Sequence, residues 1–433
     1  MRSVRRNTEL GLIILVVMII GASYALASLG QDAVIPPNVL GFLGVVLGLL
    51  LVAHVATRLL APDADPTLLP LAGLLNGLGF VFIARIDERL AWQQSAWTAF
   101  GIALFCITLM FVRRARNLDS YRWSFALLGI ILLMLPLAPG IGREINGARI
   151  WINVGPMSFQ PAEAAKIVLA IFFASYLVEK RELLAMGRRV GPVTVPDLKH
   201  LGPVLLAWAA SLVVMISQKD LGSSLLFFAL FIVMLWVATE RFSYVVTGTA
   251  LFAAGAYLSW RAFDHVQTRV TIWLDPWGDT RGKGFQIVQA AFAMAAGGIG
   301  GTGLGLSGKI NIPEAESDFI FAVLASELGL VGATVILIAF LLIIGAGLRI
   351  AVRADHAFDK LLAVGLTTLI GLQAFIIIAG VTRVLPLTGI TLPFVSYGGS
   401  SLISNYVLLA LLMRISDDTA PVSMADAKEL VTV

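Results

Sequence analysis

The chain has 433 residues, of which 58% are hydrophobic and only 13% charged, with a formal net charge of +4. Soluble domains carry nearer a quarter charged residues, so this composition, with a mean hydropathy of +0.89, excludes a soluble globular protein and places the chain in a membrane. Four scattered histidines (His54, His200, His265, His356) without ligand spacing argue against zinc or haem, and the single Cys106 excludes an internal disulfide.

The first apolar stretch, LGLIILVVMIIGASYALASLG behind MRSVRR, imitates a signal peptide and even offers Ala25-Leu26-Ala27. A signal core runs only ~7–15 residues; this one is longer and further spans follow, so a retained helix is expected. Runs able to cross ~30 Å of hydrocarbon as helices fall near 10–29, 38–60, 67–84, 95–112, 122–138, 161–178, 201–217, 221–238, 243–260, 317–348, 361–382 and 392–413. The fold class is therefore all-α polytopic, with about twelve spans. Only QKD separates 201–217 from 221–238, which predicts a tight helical hairpin. The 317–348 run is too long for one simple crossing, so Glu327-Leu328-Gly329 is expected to mark a break or strong tilt. The segment 261–316 is the one long connection, and within it 285–298 is apolar but too short to span, as suits a re-entrant or interfacial helix. No internal repeat supports a transporter of inverted symmetry.

Lysine and arginine in the loops set the orientation. Arg2, Arg5, Arg6, Arg58, the 113–122 segment RRARNLDSYR, the segment EKRELLAMGRR with Lys199, Arg241, Arg349, Arg353, Lys360, Arg414 and Lys428 collect on one side; the opposite loops carry few. Both termini are expected to be cytoplasmic, with 139–160 and 261–316 outside.

A charge in hydrocarbon costs a few kcal/mol at least, so each polar residue near a span needs a partner or a role. Glu163 and Lys166 stand at i,i+3 behind Pro161 and share a helix face; they read either as a self-satisfied ion pair or as a polar wall facing a lipid-linked substrate. Asp220 reads as the cap of the following helix. In DPWGDTRGKGFQ (275–286), residue chemistry alone favours turn-capping aspartates. GLGLSG (303–308) matches GxGxxG, but no strand precedes it and the dinucleotide reading fails its context. Glu314, Glu316 and Asp318 look like acid at a helix N-terminus, with a divalent cation (magnesium or manganese) as the functional alternative. Ser396, Tyr397, Ser400, Ser401 and Asn405 suit helix packing before cavity lining.

In this order, NGARIWINVGPMSFQPAEAAK, QKDLGSS, DPWGDTRGKGFQIVQ, GGIGGTGLG, PEAESDFIFAVLASELG and LPLTGITLPFVSYGGSS resemble the SEDS family (shape, elongation, division and sporulation), whose members include RodA and FtsW. The resemblance implies a ten-helix core over 67–413 that contains the 261–316 loop, preceded by a two-helix extension (1–66) and followed by a short tail (414–433) closer to RodA. It implies a peptidoglycan glycosyltransferase in the bacterial cytoplasmic membrane that polymerises lipid II for elongation and cell shape. A class B penicillin-binding protein is the implied partner, along with other elongation or division machinery, and no nucleic acid. The chain departs from the family where Arg149-Ile150-Trp151 replaces two basic residues before Trp, where Lys219 breaks QPD, and where Arg383 replaces a small residue.

Laid over the family pattern, the essential aspartate falls on Asp279, while Asp275 need not be acidic. Asp279 is then the base that takes the proton of the acceptor 4-hydroxyl, and Arg281 or Lys283 faces the donor pyrophosphate. Substrate contacts are expected from Glu163, Lys166, Arg149, Trp151, Glu314, Asp318, Ser396 and Ser400. The rival readings are a lipid II flippase, a division-specific polymerase, and a scaffold that only activates its penicillin-binding partner.

Overall fold

A computed structural model describes the chain except for residues 1, 35–38, 146–147, 156, 186, 191–192, 197–201, 309–310 and 421–433. Lys199, Lys428 and the tail beyond 420 lie outside the described residues. Fourteen α-helices are present among the described residues: α1 (Arg2–Asp32), α2 (Val39–Leu60), α3 (Leu68–Ile86), α4 (Glu88–Phe111), α5 (Arg122–Met134), α6 (Pro161–Ala185), α7 (Gly202–Gln218), α8 (Leu221–Thr239), α9 (Ser243–Ala262), α10 (Asp264–Leu274), α11 (Phe285–Gly297), α12 (Ile320–Arg353), α13 (Ala357–Val381) and α14 (Gly399–Asp418).

All twelve expected spans are helical, and ten of them, α5 counted with its flanking 3-10 turns, are long and apolar enough to cross a membrane. The exceptions are α7, with 17 residues, and α9, whose apolar residues are diluted by Ser, Thr, Gly and Tyr. α13 and α14 are the most enclosed helices, followed by α3, α6 and α8, whereas α1, α2 and α5 turn most of their surface outward. The last span was expected to begin near 392 but starts at Gly399: Leu392–Gly398 is a non-helical approach, since Pro393 lacks an amide donor and Gly398 follows it. The QKD turn closes the α7–α8 hairpin, with Lys219 at φ 55.

The two loop sets segregate to opposite ends of the bundle. At one end Arg5 donates to Asp63 O (2.8 Å), Asp63 N to Asp417 Oδ1 (2.7 Å) and Arg414 Nη1 to Leu60 O (2.7 Å). Ala115 N there donates to Asp418 Oδ2 (3.0 Å). The start of α1 and the end of α14 therefore share one face with the basic 113–122 loop, as the charge distribution required.

The opposite end carries structure that the hydropathy profile did not show. A three-stranded antiparallel sheet, β1 (Gly142–Ile145), β2 (Ala148–Val154) and β3 (Met157–Phe159), packs over α6 and α7. Its signal was present in ARIWINV, where apolar residues alternate with Arg149, Trp151 and Asn153 at period 2. At the other end, beside the basic 113–122 loop, a second hairpin, β4 (Gly187–Val190) with β5 (Val193–Pro196), follows α6.

α12 breaks where its length demanded. Gly329 leaves the helix at φ 66, ψ −167, a conformation that glycine adopts without steric cost. The break orphans backbone groups that must be satisfied in a membrane protein, and the glycine loop after α11 supplies the partners. Thr302 N donates to Ser326 O (3.0 Å) and Gly303 N to Glu327 O (3.0 Å), while Leu330 N donates to Gly298 O (3.0 Å) and Val331 N to Ile299 O (3.2 Å). Residues 298–303, which lead into GLGLSG, thus plug the helix break.

Candidate active site

Pro161 opens α6 at the end of the bundle opposite the basic 113–122 loop, here called the outer end, and within the first two turns Glu163 and Lys166 project into the bundle, both buried. They form an ion pair, and the Lys166 ammonium also donates to Gln373 Oε1 on α13 (2.9 Å) and Asn405 Oδ1 on α14 (3.5 Å). An ammonium has three donors, and all three are used. Gln373 Nε2 has no hydrogen-bond partner among the described residues. From Asn405 the polar path continues outward: Asn405 Nδ2 donates to Ser401 Oγ (3.3 Å), which also accepts from Thr391 Oγ1 (2.7 Å).

Above this pair lies a junction of four segments. Asp220 caps α8, its Oδ1 accepting from Ser223 N (2.9 Å) and its Oδ2 from Ser223 Oγ (2.6 Å). The capping reading of Asp220 therefore holds, but the carboxylate is buried and also within electrostatic reach of Glu163 and of Arg269 on α10. Burial pushes it above the ordinary range, opposed by the Ser223 bonds and Arg269. Arg269 donates to Leu387 O (2.8 Å) and faces both Asp220 and Asp318. Burial pulls its guanidinium down, and the two carboxylates offset that pull. Asp318, at the mouth of α12, is pushed up to about 7, first by burial and then by Glu314, with Arg269 opposing. The buried Thr388 Oγ1 beside this junction is without a partner among the described residues. Lys166 and Glu163 inside the bundle, then Asp220, Arg269 and Asp318 at its outer mouth, are linked by electrostatic reach into a polar column.

Asp318 is not a helix cap: α12 begins behind Phe319 with no side-chain cap. Glu314 is exposed, at φ 56, and accepts from Ser317 Oγ at 3.4 Å. Among the described residues no three His, Cys, Asp or Glu side chains gather as metal ligands would. Ser396 and Ser400 brace the outer loops: Ser396 Oγ donates to Ser317 O (2.6 Å) and accepts from Leu392 N (2.8 Å), and Ser400 Oγ accepts from Gln160 N (2.9 Å). Arg149 and Trp151 share one face of β2, where Trp151 pairs with Arg143. Both are half-buried.

Asp279 sits in the outer loop, at the end of a 3-10 turn, Pro276–Asp279, that directly follows α10. It is exposed, and its carboxylate accepts from Gly282 N through Oδ1 and from Lys283 N through Oδ2, each at 2.9 Å. Asp275 does the same kind of work, its Oδ1 accepting from Trp277 N and Gly278 N at 3.2 Å. Each Asp279 oxygen takes one amide and keeps a further acceptor position toward solvent. Three contacts anchor the turn. Trp277 meets Phe292 of α11 edge-on at 5.6 Å. Lys283 Nζ reaches Thr268 Oγ1 (3.5 Å), the residue before Arg269. Arg383, the departure at the end of α13, donates to the last carbonyls of α10, Trp273 O (3.1 Å) and Leu274 O (3.3 Å), and receives Trp273 Nε1 in return (2.9 Å). Arg281 is exposed beside them.

Two members of this constellation escaped the sequence reading. Arg269 was folded into the long loop, although a basic residue in the short helix DHVQTRVTIWL could have been singled out. Gln373 is a lone amide amid apolar residues in the middle of α13, and the cost of an unpaired amide in hydrocarbon could have flagged it.

The FtsW/RodA/SpoVE family, described as cell cycle protein, matches residues 67–420. The chain is similar to the peptidoglycan glycosyltransferase RodA of Mycobacterium bovis, with 45% identity over 95% of this chain and 90% of that one. Among solved structures it resembles a chain described under "Structural coordination of polymerization and crosslinking by a peptidoglycan synthase complex", at 28% identity and a TM-score of 0.67, covering 82% of this chain and 98% of that one. It also resembles the rod shape determining protein RodA of Thermus thermophilus, at 27% identity and a TM-score of 0.58 over 83% of this chain and 98% of that one.

Proposed function

The chain belongs to the FtsW/RodA/SpoVE family, and from that premise we propose how it acts. It is a multi-pass membrane protein and a peptidoglycan glycosyltransferase. The reaction we assign is inverting polymerisation of lipid II on the outer face of the bacterial cytoplasmic membrane, with both termini inside. The donor is an α-linked pyrophosphate and the product is β-1,4 linked, so a single displacement suffices. The acceptor 4-hydroxyl oxygen bonds to the anomeric carbon as that carbon's bond to the undecaprenyl pyrophosphate breaks, and the hydroxyl proton passes to a base. No close nucleophile–acid pair of the retaining glycosidase kind is needed.

Asp279 is the base in this reading. Its two amide bonds fix the carboxylate while leaving acceptor positions open. Arg281 and Lys283 on the same turn, with Arg269 deeper, neutralise the pyrophosphate as it leaves. Glu163 and Lys166 form the buried end of the polar column, and Asp318 its mouth. One observation carries the reading: the loop that bears Asp279 is anchored to α10, whose Arg269 enters the polar column descending to Lys166. A class B penicillin-binding protein is the partner we assign; the resemblance to a chain of a synthase complex that coordinates polymerization and crosslinking supports it.

The test is purified full-length protein in liposomes with lipid II. Glycan polymer is expected from the wild type and not from Asp279→Ala. Translocation of lipid II without polymer would replace the enzyme by a flippase.

A further inference from the structure

The family match begins at residue 67, so α1 and α2 are additions to the shared core, and their packing gives them a task. At its inner end α1 is locked by buried charges. Arg6 Nη1 donates to Glu9 Oε2 (2.6 Å), Glu9 Oε1 meets His54 Nδ1 of α2 (2.6 Å), and Arg6 also donates to Ala64 O. Such a network is rigid because freeing any member strands a buried charge. α1 then crosses against α3, where a side chain at Gly77 would come within 2.0 Å of Ile20.

Its outer end touches the loop that plugs α12. A Cβ on Gly30 would lie 2.2 Å from Leu304 O, and a Cβ on Gly305, at φ 77, would lie 2.1 Å from Ala27 O. Helix and loop therefore meet backbone to backbone, with no room for a side chain on either. The same loop is held from the core side by Glu327, which accepts from Gly305 N and Ser307 Oγ (both 2.9 Å) and pairs with Arg85. Arg85 in turn donates to Gly308 O (2.9 Å). Directly upstream of the loop is α11, on which the Asp279 turn rests through Trp277 and Phe292.

We propose that Gly30 is a positioning residue for glycan polymerisation. α1 is a strut fixed at the inner membrane face, and its contact with Leu304 and Gly305 holds the plug loop, and through α11 the Asp279 turn, in register with the polar column. Only the activity arm of the test rests on the polymerase reading.

Gly30→Val is compared with Leu29→Ala, a change of a half-exposed residue on the same turn, in full-length protein with lipid II, and amide exchange is followed over 298–308. A misplacement of about 1 Å at a reacting group can cost roughly 100-fold. Gly30→Val is expected to lower kcat per folded molecule by roughly tenfold or more, with KM unchanged and exchange at Thr302, Gly303 and Gly305 accelerated; Leu29→Ala moves none of these. Should Gly30→Val not fold, Gly30→Ala adds only the Cβ and carries the same comparison. A purely structural role would cost folded yield while kcat per folded molecule stayed at the wild-type value, and that result overturns the proposal. So does a wild-type protein in which the three amides exchange as fast as an open loop, whatever the variants do. If the wild type makes no polymer, the polymerase reading fails, and the exchange arm still decides the contact.

Discussion

Asp279 and Asp275 form a matched pair, and exchanging them one at a time separates turn geometry from proton transfer. Both are exposed, both lie in the same turn, and each accepts two backbone amides. Asp279→Asn keeps a carbonyl oxygen that can still accept one amide, so it forfeits one bond, worth about 1 kcal/mol net. Asp275→Ala forfeits both bonds of its carboxylate, about 2 kcal/mol. If the loop needs only its shape, Asp275→Ala is the worse variant, by a factor of roughly five at 1 kcal/mol per bond. If Asp279 accepts the proton, Asp279→Asn loses ~10²–10⁴-fold in kcat, well beyond what one amide bond explains, and the order inverts. Continuous polymerisation at saturating lipid II, normalised to folded protein, reads the difference. An Asp279→Asn enzyme at least as active as Asp275→Ala would refute base catalysis by this carboxylate.

The buried pair and the mouth of the polar column give further tests. Lys166→Met leaves Glu163 buried without its cation, at a cost of about 3–5 kcal/mol, and should lower the thermal midpoint sharply; adding Glu163→Gln should recover part of that loss. Exchanging the two, Glu163→Lys with Lys166→Glu, should restore the fold but not activity if the ammonium is needed where it meets Gln373 and Asn405; full activity would mark the pair as structural only. Burial, and then Glu314, push Asp318 up to about 7 in the folded protein against 3.8 for the free residue. The folded state then binds the proton more tightly, so this group's contribution to stability is present below about 4 and is lost as pH rises to 7. The midpoint of the wild type should fall between pH 5 and pH 8 by more than that of Asp318→Asn, and parallel curves would remove Asp318 from the buried cluster.

What the linear sequence determined was whatever local physics can decide. Apolar run length placed the helices, loop charge segregated the two faces, the excess length of 317–348 located the break at Gly329, and Asp220 before LGSS announced its cap. Each of these signals is contained within one helix or one turn. Tertiary structure decided the rest, because it concerns partners far apart in the chain. Lys166 finds Gln373 and Asn405 more than two hundred residues away, and Arg269 acquires its meaning only where α8, α10 and the mouth of α12 converge. The broken α12 borrows its hydrogen bonds from residues 298–303, a glycine-rich stretch whose partners lie across the fold. Gly30, unremarkable within an apolar helix, matters because a distant backbone comes within contact distance of it. Hydropathy and periodicity register the solvent around a segment; they carry no information about which other segment fills the space against it.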